Sequence, residues 1–130
     1  MAKIPDNVKE ASIISTEEWK EWTKTVWSIA NVSDPIHPAV FPLEIPHRLI
    51  RMFSFYGETV LDPFSGMGTT GKSAIINGRR YVGIEVNSEY LQLSYEQIIE
   101  FANTNNIVLS EGDISLINDT CLNMDYIPDN

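Results

Sequence analysis

Cysteine, long apolar runs and positive charge are what this sequence lacks. Cys121 is the only cysteine in 130 residues, so the chain can close no internal disulfide and can build no thiolate metal cluster by itself. A small, partly buried side chain is the expected role for it. No apolar run approaches the roughly eighteen residues that would span a bilayer. The opening MAKIPDNVKEAS also lacks the basic-then-apolar pattern of a secretory signal, so a cytoplasmic protein with no membrane partner is expected. Nine Lys and Arg stand against eighteen Asp and Glu, a net charge of −9. That is the wrong sign for a surface that neutralises phosphates, and a nucleic-acid partner would have to be gripped elsewhere. The remaining composition, 43% hydrophobic and 21% charged, is that of an ordinary globular chain. At this length one domain, or part of one, is the ceiling. There is no internal repeat.

Residues 1–34 read as a leader followed by a tryptophan-containing helix. Ser15 and Glu18 have capping-box spacing, and EEWKEWTKTVW carries Trp19, Trp22 and Trp27 at intervals that suit packing better than base stacking. From Asp34 to Pro46 the prolines at 35, 38, 42 and 46 impose an irregular loop. Pro46 suits the first residue of a helix, IPHRLIRMF, with Ile45, Leu49, Ile50 and Phe53 supplying its apolar side. ETVLD then reads as a short buried strand, PFSGMGTT as a glycine turn, TTGKSAIIN as a helix ending at Gly78, and RRYVGIEV as a second strand. Asn87 or Ser88 caps a further helix whose Leu91, Tyr95, Ile98 and Ala102 share one face, and NNIVLSEGD reads as a third strand. This alternation predicts an α/β chain with a partial doubly wound sheet of about three parallel strands and flanking helices. Ligands of such sheets lie beyond the carboxyl ends of the strands, where Asp62, Glu85 and Asp113 are all expected to gather.

The glycine turn carries chemistry. Gly66 and Gly68 let a ligand approach the backbone, and the helix amino end favours a carboxylate or phosphate. Asp62 would repel a polyphosphate but pair with an ammonium group, whereas Thr69 and Thr70 can donate to a carboxylate. A ligand with both groups is an amino acid, and the methionine end of S-adenosylmethionine fits. Glu85, nineteen residues after Gly66, has the spacing of a ribose-binding acid. Asp113 could accept from the adenine amino group, or it could be a turn acid in Gly-Asp. GMGTTGKS, Gly66 to Ser73, also matches the P-loop expression, in which Lys72 would reach phosphates and Ser73 magnesium. The four residues after the strand, beginning with the negative Asp62, argue against it.

The run from His37 to Ser94 resembles the cofactor-binding half of the DNA amino-methyltransferases, which modify adenine N6 or cytosine N4. HPAVFP resembles the motif bordering the methionine end, VLDPFSGMGTT the glycine-loop motif and YVGIEVN the ribose-binding motif. EEWKEWTKTVWSI resembles the segment entering this half, so the likeness extends over roughly Ser15 to Ala102. It implies a Rossmann-like methyltransferase fold, S-adenosyl-L-methionine as cofactor and DNA as partner of the complete enzyme. It also implies that His37, Pro38, Ala39 and Phe41 shape the methionine end, that Asp62 and Phe64 flank the cofactor, that Gly66, Gly68, Thr69 and Thr70 hold its carboxylate end, and that Glu85 holds the ribose. Residues 35–102 would be the cofactor-binding region.

One departure stands out. The family's catalytic Asp/Ser/Asn-Pro-Pro-Tyr/Phe motif accepts hydrogen bonds from the target amino group and stacks on the extruded base. This sequence contains no Pro-Pro. Residues 103–130 resemble the segment that leads into the strand bearing that motif, so no catalytic residue is expected in this chain and a complementary chain or segment should supply one. A non-catalytic cofactor-binding or assembly subunit, a P-loop hydrolase and a small-molecule methyltransferase are the alternatives.

Overall fold

The structure, a computed structural model, describes residues 3–29 and 42–119. Two short helices come first, α1 (Asp6–Ala11) and α2 (Thr16–Trp22). No apolar period in the sequence marks the first. The second starts on the expected capping box: Ser15 Oγ accepts from the Glu18 amide at 3.1 Å and Glu18 Oε1 from the Ser15 amide at 3.2 Å. It stops at Trp22 rather than running on to Trp27, whose indole Nε1 donates back to the Trp22 carbonyl at 3.0 Å.

Helix α3 (Glu44–Phe53) contains Pro46 within its first turn, where a missing amide donor costs nothing. It carries the cluster that fixes the amino-terminal part. Trp22 is buried, the Arg48 guanidinium lies 6.0 Å from its ring centroid and 5.1 Å from that of Trp27, and Arg51 lies 5.7 Å from Trp22. Arg48 Nε also donates to Glu44 at 2.9 Å, while its buried Nη1 has no hydrogen-bond partner among the described residues. The two indole faces supply what attraction that end of the guanidinium receives. These tryptophans are packing residues. Trp19, the exception, is 44% exposed.

Strands β1 (Thr59–Asp62), β2 (Arg80–Ile84) and β3 (Ile114–Ile117) form one parallel sheet in the order β1-β2-β3, linked by α4 (Thr69–Ile76) and α5 (Ser88–Thr104). Helix α4 ends as expected at Gly78, whose φ of +75° allows its amide and that of Arg79 to bond back to Ile75 and Ala74. A Cβ at Gly78 would overlap the Tyr56 ring. Helix α5 turns a slightly different face inward from the one the sequence suggests. Ser94, Ile98 and Ala102 are buried one turn apart, and Tyr95 is about half exposed. The core joins Ile50, Ala74, Ile75, Tyr81, Ile98 and Ala102, with Val60, Ile107, Leu109, Ile114 and Leu116 against it. Each large apolar member contributes about 1.5–3 kcal/mol.

The third strand departs most from expectation. Ile107 and Leu109 pack against the core, but residues 107–110 pair with no described strand, and the chain turns at Ser110–Asp113 before entering β3. Gly112 takes φ +86° in that turn, and Asp113 Oδ2 accepts from the Ser110 amide at 2.7 Å. β3 therefore follows the Gly-Asp pair rather than preceding it.

His47 links α2, α3 and α4. Its ring meets Trp22 edge-on at 5.5 Å, and the Asn77 amide lies 3.0 Å from Nδ1. An Asn amide nitrogen can only donate, so Nδ1 must be an acceptor and the ring neutral. Burial depresses the His47 pKa; Glu44 and Glu18 oppose that shift and Arg51 and Arg48 reinforce it. A depressed folded pKa means that the unfolded chain takes up the proton first, so stability declines as pH falls through about 6.5 and below. Thermal melts between about pH 7.5 and 5.5 should show the wild-type Tm falling more than that of His47→Gln, and parallel curves would contradict this assignment.

Candidate cofactor-binding site

Two parallel neighbours bring the site together. The register sets Asp62, the last residue of β1, beside Gly83, with Glu85 just past the end of β2. Between them the chain leaves β1, crosses Pro63–Gly68 and enters α4. The Glu85 carboxylate closes this loop: Oε1 accepts the Gly66 amide at 2.9 Å and Oε2 the Asn87 amide at 2.9 Å. The Ser65 amide donates to the Ile84 carbonyl at 2.9 Å. Asp62 Oδ1 accepts the Phe64 amide at 3.0 Å, and its Oδ2 lies 3.3 Å from the Tyr81 hydroxyl. Each carboxylate oxygen has one protein donor among these bonds and keeps acceptor capacity for a ligand.

The glycines are there for distinct reasons. Gly66 and Gly68 take φ of +54° and +83°, and a Cβ on Gly68 would come 2.9 Å from the Ile98 side chain. Thr69 and Thr70 open α4, so their hydroxyls stand at its amino end, although Thr70 also lines an apolar groove with Val60 and Leu49. Phe64 is 76% exposed and stands out from the loop.

Asp113 does not join this group. It precedes β3 at the amino-terminal end of the sheet, where its carbonyl accepts the Tyr81 amide at 2.8 Å and its carboxylate closes the 110–113 turn. The expectation that three acids share the carboxyl edge is thereby corrected to two. What β3 does bring to that edge is Asn118, which a third strand ending before Asp113 cannot reveal. Its Nδ2 donates to the Glu85 and Val86 carbonyls at 3.0 and 3.1 Å, fastening the backbone that carries the ribose-binding candidate. His37, Pro38, Ala39 and Phe41 lie outside the described residues.

The overlapping P-loop pattern finds no support in side-chain placement. Lys72 Nζ donates to Gln97 on α5 at 3.0 Å, and Ser73 is fully buried with its hydroxyl on the Leu43 carbonyl. Neither faces the loop as a phosphate or magnesium ligand would. Among the described residues no group of three or more His, Cys, Asp or Glu could hold a metal, and no helix is long and apolar enough to cross a membrane.

A family model described as DNA methylase matches residues 2–96. The chain belongs to that family. It is 39% identical over 101 residues to the type II methyltransferase M.BglI of Bacillus subtilis, covering 76% of this chain and 29% of that protein. It is 41% identical over 102 residues to the type II methyltransferase M.MjaI of Methanocaldococcus jannaschii, covering 74% and 33%. Among solved structures, a protein described as a DNA modification methylase from Thermus thermophilus, crystallised with S-adenosyl-L-methionine, superposes with a TM-score of 0.67 at 33% identity. That match covers 90% of this chain and 43% of the other. The chain thus spans a third or less of the length of these two relatives.

Gly83 tests how tightly the site is packed. A Cβ there would come 2.7 Å from Ser65 Oγ and 2.8 Å from the Tyr81 ring and hydroxyl, so Gly83→Ala must displace the loop or the tyrosine. Urea denaturation should show a loss of about 1–3 kcal/mol. An unchanged midpoint would mean that the loop is not held against β2.

Proposed function

We propose that this chain is the S-adenosyl-L-methionine-binding part of a site-specific DNA methyltransferase that modifies an exocyclic amino group, adenine N6 or cytosine N4. The observation that carries this reading is the placement of Asp62 and Glu85 at the carboxyl ends of the neighbouring strands β1 and β2, beside a loop whose glycines open the way to the amino end of α4. In it Asp62 faces the ammonium group, the α4 amino end with Thr69 and Thr70 faces the carboxylate, and Glu85 accepts from the ribose hydroxyls. His37, Pro38, Ala39 and Phe41 would border the methionine end. The Thermus methylase crystallised with this cofactor supports the choice of ligand. Asp113 at the opposite end of the sheet leaves adenine to be held by other groups.

When bound, the cofactor supplies an activated methyl on a positive sulfur. The base's amino nitrogen would bond to that methyl as the methyl–sulfur bond breaks, the sulfur keeping the electron pair and the methylated nitrogen releasing one proton to solvent or to the complementary half. The chain's own contribution is to hold the methyl donor in line with the flipped base.

The base-binding, catalytic Pro-Pro-Tyr-type motif and the DNA grip belong to a complementary chain or segment, which agrees with the net charge of −9. Residues 35–102 are the cofactor-binding region and 103–130 lead toward that half. Of the described strands only β2 pairs with β1, and a doubly wound sheet continues on the far side of its first strand. The open edge of β1 and the apolar groove beside it, of about 530 Å³ and lined by Ile45, Leu49, Phe53 and Val60, would receive a parallel strand from the complement.

Calorimetric titration should give S-adenosylmethionine binding that Asp62→Asn and Glu85→Gln each weaken about tenfold, and no binding of ATP with magnesium. The reverse preference would overturn the reading. The chain alone should methylate no DNA. Mixed with a fragment of a relative that carries the catalytic motif, it should gain activity, and Phe53→Asp should abolish that gain while cofactor affinity holds. Activity without a complement, or complementation indifferent to Phe53→Asp, would refute the divided arrangement.

A further inference from the structure

Beneath the glycine loop lies a fully buried polar group whose role the sequence does not suggest. Tyr81 sits in the middle of the core, and its ring fills the space that Cβ atoms on Gly71 and Gly83 would otherwise claim, each 2.8 Å away. Packing accounts for the ring, and a phenylalanine would supply it equally well. The hydroxyl needs a separate explanation, because a buried phenol must find partners or destabilise the core.

Its partners are Asp62 at the end of β1 and Ser65 in the loop above. The oxygen lies 3.3 Å from Asp62 Oδ2 and 3.2 Å from Ser65 Oγ. Both distances are long for O–H···O bonds. Burial and the neighbouring Asp62 charge raise the Tyr81 pKa well above its ordinary value, so the group stays a donor. The carboxylate has no proton to give, so the phenol must donate to Asp62, while the Ser65 hydroxyl can turn to donate to the phenol oxygen. With Oδ1 held by the Phe64 amide and Oδ2 by Tyr81, the Asp62 carboxylate is fixed in orientation from both sides.

We infer that Tyr81 is a positioning residue for cofactor binding: its hydroxyl fixes the Asp62 carboxylate to receive the ligand's ammonium group. This rests on the cofactor reading given above. Tyr81 touches no ligand atom itself and acts through Asp62. A preset carboxylate spares the ligand the cost of ordering its own partner.

The test separates the amino-acid end of the ligand from the nucleoside end. S-Adenosylhomocysteine carries the ammonium group and 5′-methylthioadenosine lacks the amino-acid portion, while both keep adenine, ribose and a thioether. Calorimetric or NMR titration of the full chain at up to millimolar ligand is expected to show Tyr81→Phe binding S-adenosylhomocysteine about tenfold more weakly. Methylthioadenosine affinity should change less than twofold. Equal losses for the two ligands would make Tyr81 a merely structural residue, and no loss for either would remove its role; both outcomes overturn the inference while leaving the cofactor reading in place. Wild-type protein that binds neither ligand would overturn the cofactor reading and this inference with it. If Tyr81→Phe folds poorly because Ser65 is left unpaired, Tyr81→Phe with Ser65→Ala removes both hydroxyls and should give the same split.

Discussion

The hydrogen bond from the Gly66 amide to the Glu85 carboxylate joins the two ends on which the site depends. It ties the loop leaving β1 to the residue leaving β2, and so fixes the position of one acid, the path of the glycine turn and the entry of α4 together. The parallel register alone would bring the strands side by side without setting the loop above them. With the loop fastened, Gly68 can sit close to Ile98 and Thr69 can open its helix at the carboxyl edge of the sheet. Asn118 then holds the Glu85 backbone from the β3 side. A ligand meeting this edge finds donors and acceptors already in place, which lowers the cost of ordering them on binding.

Much of this is legible in the sequence because local rules decide it. The capping box at Ser15, the helix stop at Gly78, the glycine turn and the acid nineteen residues beyond Gly66 each announce themselves through a few neighbouring residues. The third strand does not. IVL at 107–109 and ISLI at 114–117 are both apolar runs beside a turn, and only pairing with β2 distinguishes them. Choosing the first run puts Asp113 at the wrong end of the sheet. Tyr81 is equally hidden, since an aromatic residue inside a strand reads as core and the sequence carries no sign that its hydroxyl reaches Asp62. The loop holding His37 to Phe41 lies outside the described residues.

Membership in the DNA methylase family and the acidic composition fit together once the chain is regarded as the cofactor-binding portion of a larger assembly. Binding a cationic sulfonium and an ammonium group calls for carboxylates, whereas gripping DNA calls for lysine and arginine. Dividing those tasks between surfaces lets each carry its own charge. In the proposed arrangement the apolar groove beside β1 is the seam between them, because Leu49 and Phe53, which line it, are both substantially exposed.

Amide chemical-shift mapping during titration with S-adenosylmethionine tests the central claim most directly. Perturbations are expected at Gly66 to Thr70 and at Glu85 to Asn87, with the Ser110 to Asp113 turn unmoved. A response centred on that turn, or none at the glycine loop with ligand in excess, would contradict the assignment of the carboxyl edge as the cofactor site.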